Sequence, residues 1–306
     1  ANTLAIKSDG SLWGWGGNAD GQLGDGTSAI RVLPTATAPG RHWVQVAVGN
    51  NNSYGLKDDG TLWAWGGDTL HLGLETNAAS RVFRPAQIGT DTNWTHVWTG
   101  DIQALGLKVD GSLWFWGILS GSGTDNTNIY TIPTRVSPDT NWVAAAFGYY
   151  TMLAIKGDGT LWTWGNEARF YAGSTNKAMR LVPERVGTNS DWVSISSNPG
   201  GFYHLLRKKD GSLWALDASA HRRILTDDKY PPITCQPMDL STDIGAYASR
   251  GDDIGVVLNP AGEVLTWGTV LGEISQSQIH VSADGRSESR PPSRKVTTPW
   301  KLEWVR

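Results

Sequence analysis

The sequence predicts an all-β protein, a β-propeller of about six blades with seven as the alternative, and three observations predict it. The first is a phrase, Lys57-Asp58-Asp59-Gly60-Thr61-Leu62-Trp63-Ala64-Trp65-Gly66, that recurs along the chain. It returns at Lys7 to Gly16, Lys108 to Gly117 and Lys156 to Gly165, and in degraded form around Asp210-Gly211-Ser212-Leu213-Trp214 and Gly262-Glu263-Val264-Leu265. The second is its period. The turn glycines at 10, 60, 111, 159, 211 and 262 are separated by 50, 51, 48, 52 and 51 residues, and a fixed period of that size marks a repeat architecture. The third is the content of each unit, which reads as short strands and tight turns with no long apolar run at helical period. Units that close into one ring make residues 1–306 a single propeller domain, although the length alone would allow two average domains.

Each element of the unit follows from its residue types. Trp43-Val44-Gln45-Val46-Ala47-Val48 is a Trp-led strand that ends at Gly49, and Ser53-Tyr54-Gly55-Leu56-Lys57 is the strand that returns. The Asp-Gly pair after it suits a type I′ hairpin turn, whose two central residues both need positive φ. Beyond the turn, Leu62 and Ala64 alternate with Trp63 and Trp65, which places both indole rings on one face of a third strand. A variable connector offers a fourth strand, and four antiparallel strands make one blade. The lead Trp stands seventeen residues before the turn glycine at Trp43, Trp94 and Trp142 but nineteen before it at Trp192, so the fifth unit carries an insertion. At the ends, Thr3-Leu4-Ala5-Ile6-Lys7 lacks a Trp-led strand and Glu303-Trp304-Val305-Arg306 reads as the opening of one. The ring is expected to close by pairing of these C-terminal and N-terminal strands, which would cover an edge otherwise open to aggregation.

Composition narrows the function classes. A formal charge of −3 gives no basic footprint for nucleic acid, and no stretch approaches the roughly 20 apolar residues that insert into a membrane. The lone cysteine, Cys235, rules out an internal disulfide framework and a cysteine metal cluster. The histidines His42, His71, His96, His204, His221 and His280 form neither an i, i+4 pair nor a His-Glu-x-x-His site, and there is no phosphate loop or nucleophile elbow. No catalytic residue, metal or cofactor is therefore expected. The repeated Asp9, Asp59, Asp110, Asp158 and Asp210 have a conformational task in turns, and the 17 Trp fall in strand slots that read as core.

The Trp/Val-x-x-Val-x-x-Gly strand, the Lys-x-Asp-Gly-x-Leu-Trp-x-Trp-Gly hairpin and the connector Asn18-Ala19-Asp20-Gly21-Gln22-Leu23-Gly24-Asp25-Gly26 together resemble the regulator-of-chromosome-condensation repeat family. The resemblance covers nearly the whole chain, and its Trp-rich wording is similar to bacterial members. Later connectors depart from the signature: His71-Leu72-Gly73-Leu74, Ser120-Gly121-Ser122-Gly123-Thr124 and Ala172-Gly173-Ser174. The family usually has seven blades, against six units counted here. It includes a chromatin-bound guanine-nucleotide exchange factor, a plant ultraviolet photoreceptor and a secreted inhibitor of β-lactamases, so the resemblance implies a disc that presents loops. The Gly-Trp-Arg-His-Thr light-sensing motif of the photoreceptor does not occur in this sequence.

Function is therefore sought where the repeat breaks. Tyr149-Tyr150 sits in the loop after one Trp-led strand, Arg169-Phe170-Tyr171 in a connector, and Phe202-Tyr203-His204 in the fifth-unit insertion. Arg222 and Arg223 follow the third strand of that unit, which ends in Leu216-Asp217 instead of Trp-Gly. Aromatic and arginine side chains of this kind are typical anchors of protein contacts. The expected function is a non-enzymatic interaction module, exported by a bacterium to the cell envelope or medium, that holds a protein partner; a cytoplasmic location stays open. One alternative is a lectin, since the hairpin is similar to tectonin-type sugar-binding propellers. The other is a segment of a larger surface or filament protein.

Overall fold

Every repeat folds into its own antiparallel sheet in a computed structural model of the chain. The structure describes residues 2–38, 40, 42–67, 71–75, 81–100, 102–120, 127–148, 151–165, 180–197, 203–217, 235–237, 246–250, 254–258 and 264–267. Among these residues six sheets follow one another in sequence. The first holds β1 (Asn2–Ile6), β2 (Leu12–Gly16) and β3 (Arg31–Ala36), and the second β4 (Trp43–Val48), β5 (Asn52–Lys57), β6 (Leu62–Gly66) and β7 (Val82–Gln87). The third comprises β8 (Trp94–Thr99), β9 (Gln103–Lys108), β10 (Leu113–Ser120) and β11 (Thr127–Arg135), and the fourth β12 (Trp142–Phe147), β13 (Thr151–Lys156), β14 (Leu161–Gly165) and β15 (Arg180–Val186). The fifth has β16 (Trp192–Ser197), β17 (Tyr203–Lys208), β18 (Leu213–Asp217) and β19 (Cys235–Pro237), and the sixth β20 (Ala246–Arg250), β21 (Ile254–Leu258) and β22 (Val264–Trp267). The connector thus supplies the fourth strand, as its sequence suggests. Trp-led strands of successive blades pack on one another, which places them nearest the axis. Among the described residues the first sheet shows no such inner strand, and the Trp304 segment expected to provide it lies outside them.

The Asp-Gly turn is not type I′. Gly60 has φ 77°, but no turn aspartate has a positive φ among the described residues. The Lys57 carbonyl accepts from Gly60 N–H at 3.0 Å, and Lys57 N–H donates to the Thr61 carbonyl at 3.1 Å. This is a type I turn closed by one left-handed glycine, the geometry of a three-residue hairpin loop. The aspartate earns its place through its side chain instead. Asp59 Oδ1 accepts from the Thr61 backbone N–H at 2.9 Å and from its hydroxyl at 2.6 Å, while Thr61 Oγ1 accepts from Trp63 Nε1 at 2.8 Å. The relay repeats as Asp9–Ser11–Trp13, Asp110–Ser112–Trp114, Asp158–Thr160–Trp162 and Asp210–Ser212–Trp214. These hydroxyl bonds hold Asp59, Asp110, Asp158 and Asp210 below the usual carboxylate range.

The core lies between the faces of adjacent blades, so both sides of an interior blade are buried. Within a blade the lead Trp reaches across the second strand to the Trp pair of the third: Trp43 lies 6.3 Å from Trp63 and 5.7 Å from Trp65, and Trp94 6.1 Å from both Trp114 and Trp116. These edge-to-face distances are the favoured aromatic geometry. The crossing requires a small residue in the second strand, because a Cβ on Gly55 or Gly106 would sit 2.5 Å from the lead indole. The fifth blade solves the same problem differently. It has no second Trp, and the buried Leu206 and Leu216 fill its place beside the Trp192–Trp214 pair. Each outer strand of these blades carries a proline, Pro34, Pro85, Pro133, Pro183 and Pro237, which offers no N–H to a foreign strand and so blunts the exposed edge.

Trp116 is fully buried between the second and third blades, against Tyr54 at 5.7 Å. Trp116→Ala is expected to lower unfolding stability by about 3–5 kcal/mol, read as a shift of the urea midpoint at constant slope; an unmoved midpoint would mean that this ring is not part of the core.

Candidate functional site

The up-and-down course of the strands gives the propeller two ends. One carries the Asp-Gly turns and the loops that lead into each Trp-led strand. The other carries the turns between first and second strands and the long connectors.

At the Asp-Gly end the second to fifth blades each hold a lysine, from the last position of the second strand, over two indoles. Lys108 Nζ lies 4.7 and 3.9 Å from the Trp94 and Trp114 ring centres, Lys156 4.8 and 3.8 Å from Trp142 and Trp162, and Lys208 5.0 and 4.5 Å from Trp192 and Trp214. A carboxylate completes each of these three cages: Asp91 at 2.7 Å, Asp139 at 3.1 Å and Asp191 at 3.1 Å. The ammonium is drawn to the negative ring faces, and the Lys108 side chain is only 8% exposed while Asp91 is 54% exposed. The carboxylate therefore closes the solvent side of a cation whose other sides are aromatic. In the sequence this lysine is legible only as the end of a strand; the aspartate just ahead of the lead Trp, three residues before it at Asp91 and Asp139 and one before it at Asp191, is the available signal.

At the connector end the signature segment of the first blade joins it to the second. Asn18 Oδ1 accepts from Leu23 N–H at 2.9 Å and Asn18 Nδ2 donates to Asp25 at 3.1 Å. The Gln22 carbonyl so presented accepts from Trp65 Nε1 at 2.9 Å and from the Ser53 hydroxyl at 2.8 Å. In the second connector the His71 carbonyl accepts from the Tyr54 hydroxyl of the same blade at 3.0 Å, and Gly73 lies against the Trp116 ring of the third blade as Gly24 does against Trp65.

Of the residues singled out in the sequence, Tyr149, Tyr150, Arg169, Phe170, Tyr171, Phe202, Arg222 and Arg223 lie outside the described residues. Tyr203 opens β17, paired with Asp217. His204 is not in a loop: it is a fully buried strand residue, its Nδ1 2.6 Å from Ser197 Oγ and its ring against the backbone of Gly148 in the neighbouring blade. Counting back four from Lys208 puts His204 in the same column as buried Ser53, Ala104 and Met152, so the repeat contained the signal. The strand ends that flank all the singled-out segments, those of β12, β14, β16 and β18, lie together at the connector end. Among the described residues no group of three or more His, Cys, Asp or Glu could hold a metal, and no helix is long and apolar enough to cross a membrane.

A family model described as the regulator of chromosome condensation (RCC1) repeat matches residues 9–56, and a second model of the same repeat matches residues 43–70. Residues 9–70 thus match RCC1 repeats. No curated protein matches it by sequence. Among solved structures it is similar to human WBSCR16, with a TM-score of 0.68 at 21% identity over 85% of this chain and 70% of that one. It is also similar to Prp20p of Saccharomyces cerevisiae, whose structure was described with its binding properties to Gsp1p and histones: TM-score 0.70, 19% identity, 87% of this chain and 69% of that one. Yeast RCC1 (Prp20) in complex with Kap60 gives a TM-score of 0.67 at 18% identity over 87% and 68% of the two chains. At these identities the likeness establishes the propeller fold.

Burial drives the His204 imidazole down from 6.5 to about 3. Between those values the unfolded chain binds a proton that the folded chain does not, so stability is lost as pH falls through that window, by about 1.4 kcal/mol per pH unit at most. The thermal midpoint is expected to drop between pH 7 and pH 4.5, where the depressed turn carboxylates still hold their charge, and His204→Gln is expected to flatten that slope. An equal slope in the variant would show that His204 is not the titrating group.

Proposed function

We propose that this chain is a non-enzymatic interaction module that holds a protein partner on its connector end. One observation carries the reading: the segments that depart most from the repeat leave and re-enter strands at that single end, whereas the repeated residues are spent on joining and filling the blades. Tyr149, Tyr150, Arg169, Phe170, Tyr171, Phe202, Arg222 and Arg223 are the proposed contact set, aromatic and arginine anchors of the kind that dominate interface energetics. His204 takes a supporting role from beneath, since its buried ring packs under the Gly148 turn that precedes Tyr149. The fold-level likeness to Prp20p, described with partners of its own, supports an interaction role without naming the partner here. The proposal places the chain outside the cell or in the envelope of a bacterium, on the resemblance of its Trp-rich repeats to bacterial members.

The test is capture of partners from the envelope and culture medium of the source organism, alongside a glycan array on the same protein. One enriched protein is expected, retained at least tenfold less by Arg169→Ala or Phe202→Ala although both variants keep the parent's thermal midpoint. Equal retention by the variants would move the contact elsewhere, and sugar-competed glycan binding would replace the protein partner with a lectin role.

A further inference from the structure

We propose that the cage around Lys57 is an open seat for a carboxylate on an acidic segment of a protein partner. The chain supplies its own controls. Lys108 and Lys156 are capped by the aspartate three residues before the lead Trp, Asp91 and Asp139, and Lys208 by the aspartate directly before it, Asp191. Lys57 is held by the same aromatic pair, 5.0 Å from the Trp43 ring centre and 4.0 Å from that of Trp63, but the two positions that supply the carboxylate elsewhere, three residues and one residue before the lead Trp, hold Gly40 and His42. The half of the cage built from indoles is complete, and the half built from a carboxylate is missing.

The loop around this position also differs from its counterparts. Gly40 has φ 90°, and a Cβ built on it meets nothing within 4 Å. His42 has φ 83°, a left-handed backbone that a residue with a Cβ adopts only under constraint. The nearby carboxylates are already committed: Asp58 Oδ2 lies 2.9 Å from His42 Nδ1, and Asp59 accepts from Thr61. A second polar group is left open beside the lysine. Trp43 Nε1 is buried without a hydrogen-bond partner, whereas Trp142 Nε1 lies 3.3 Å from Ser137 Oγ, which in turn is bonded to Asp139. Ala38 stands where Ser137 would be. Trp94 shares the open indole despite having Asp91, so it is the absent carboxylate that sets the Lys57 cage apart.

The chemistry selects a carboxylate over a phosphate. The sibling cages each take one carboxylate oxygen at 2.7–3.1 Å, and Asp58 and Asp59 beside the seat disfavour a second negative charge on the ligand. A single charge-assisted bond gives too little affinity to retain a free small acid against the entropy of binding, so the group arrives on a larger surface. The inference rests on the interaction-module reading but concerns the opposite end of the propeller.

The test reads lysine acylation by mass spectrometry on the native protein, with and without millimolar acetyl-Gly-Thr-Asp-Thr-Asn-amide, a copy of residues 89–93. Lys57 is expected to react at least tenfold faster than Lys108 and Lys156, and the peptide is expected to slow Lys57 at least threefold while its Asp→Asn analogue does not. A Lys57 rate equal to that of Lys108, or equal protection by both peptides, would overturn the seat. Loss of the seat with the Arg169 and Phe202 effects intact would leave the interaction module standing; loss of those effects with Lys57 protection intact would move the contact to the Asp-Gly end.

Discussion

One backbone hydrogen bond repeats at the joint between blades, from the N–H of the lead Trp to the carbonyl of the turn glycine in the blade before it. It measures 3.1 Å at Trp43–Gly10, Trp94–Gly60, Trp142–Gly111 and Trp192–Gly159. Most of the repeated phrase follows from it. The turn must lie flat against the next blade, so Gly60 can carry no Cβ, which would strike the Thr92 carbonyl, and it needs φ 77° as well. With its N–H fixed there, the lead Trp starts its strand at one place and turns its indole onto the Trp pair of its own blade. The lysine opposite it in the register, Lys57 against Trp43 and Lys108 against Trp94, then meets two ring faces at once. Joint, core and lysine cage are consequences of one contact, which is why their residues recur together.

The sequence made the fold legible through period and alternation, and lost it where a side chain replaced a backbone rule. Asp-Gly marked the hairpin correctly but suggested the wrong turn, because the preference of aspartate at this position comes from its bonds to Ser11, Thr61, Ser112, Thr160 and Ser212 and not from its φ. His204 read as part of an insertion because the stretch between the first and second strands of this unit is two residues longer than in the others; register with Lys208 places it inside. The Lys–Asp cages were invisible to a motif search. Their members stand seventeen residues apart and meet only because the loop before the lead Trp folds back over the turn of its own blade.

Departures from a repeat are of two kinds, and packing separates them. The fifth unit loses its second Trp, the most conspicuous break in the pattern, yet Leu206 replaces the glycine or alanine of other blades and Leu216 the indole, and all three of Leu205, Leu206 and Leu216 remain buried. The change is compensated within the core and needs no ligand to explain it. Pro138 and Ser137 likewise vary between loops without disturbing the Asp139–Lys156 pair.

Gly40 is of the other kind. Its neighbours do not close the cage: Asp58 is turned to His42, Asp59 to Thr61, and Ala38 offers no hydroxyl to the open Trp43 indole. An ammonium seated on two aromatic faces is partly stripped of water, and the sibling cages show that this fold meets that cost with a carboxylate. Loss of the aspartate without a second change to remove or re-pair Lys57 leaves the charge and half of its binding site in place. The difference between the compensated fifth blade and the uncompensated second one is what makes Lys57, rather than the missing Trp-Gly, the departure that points outward.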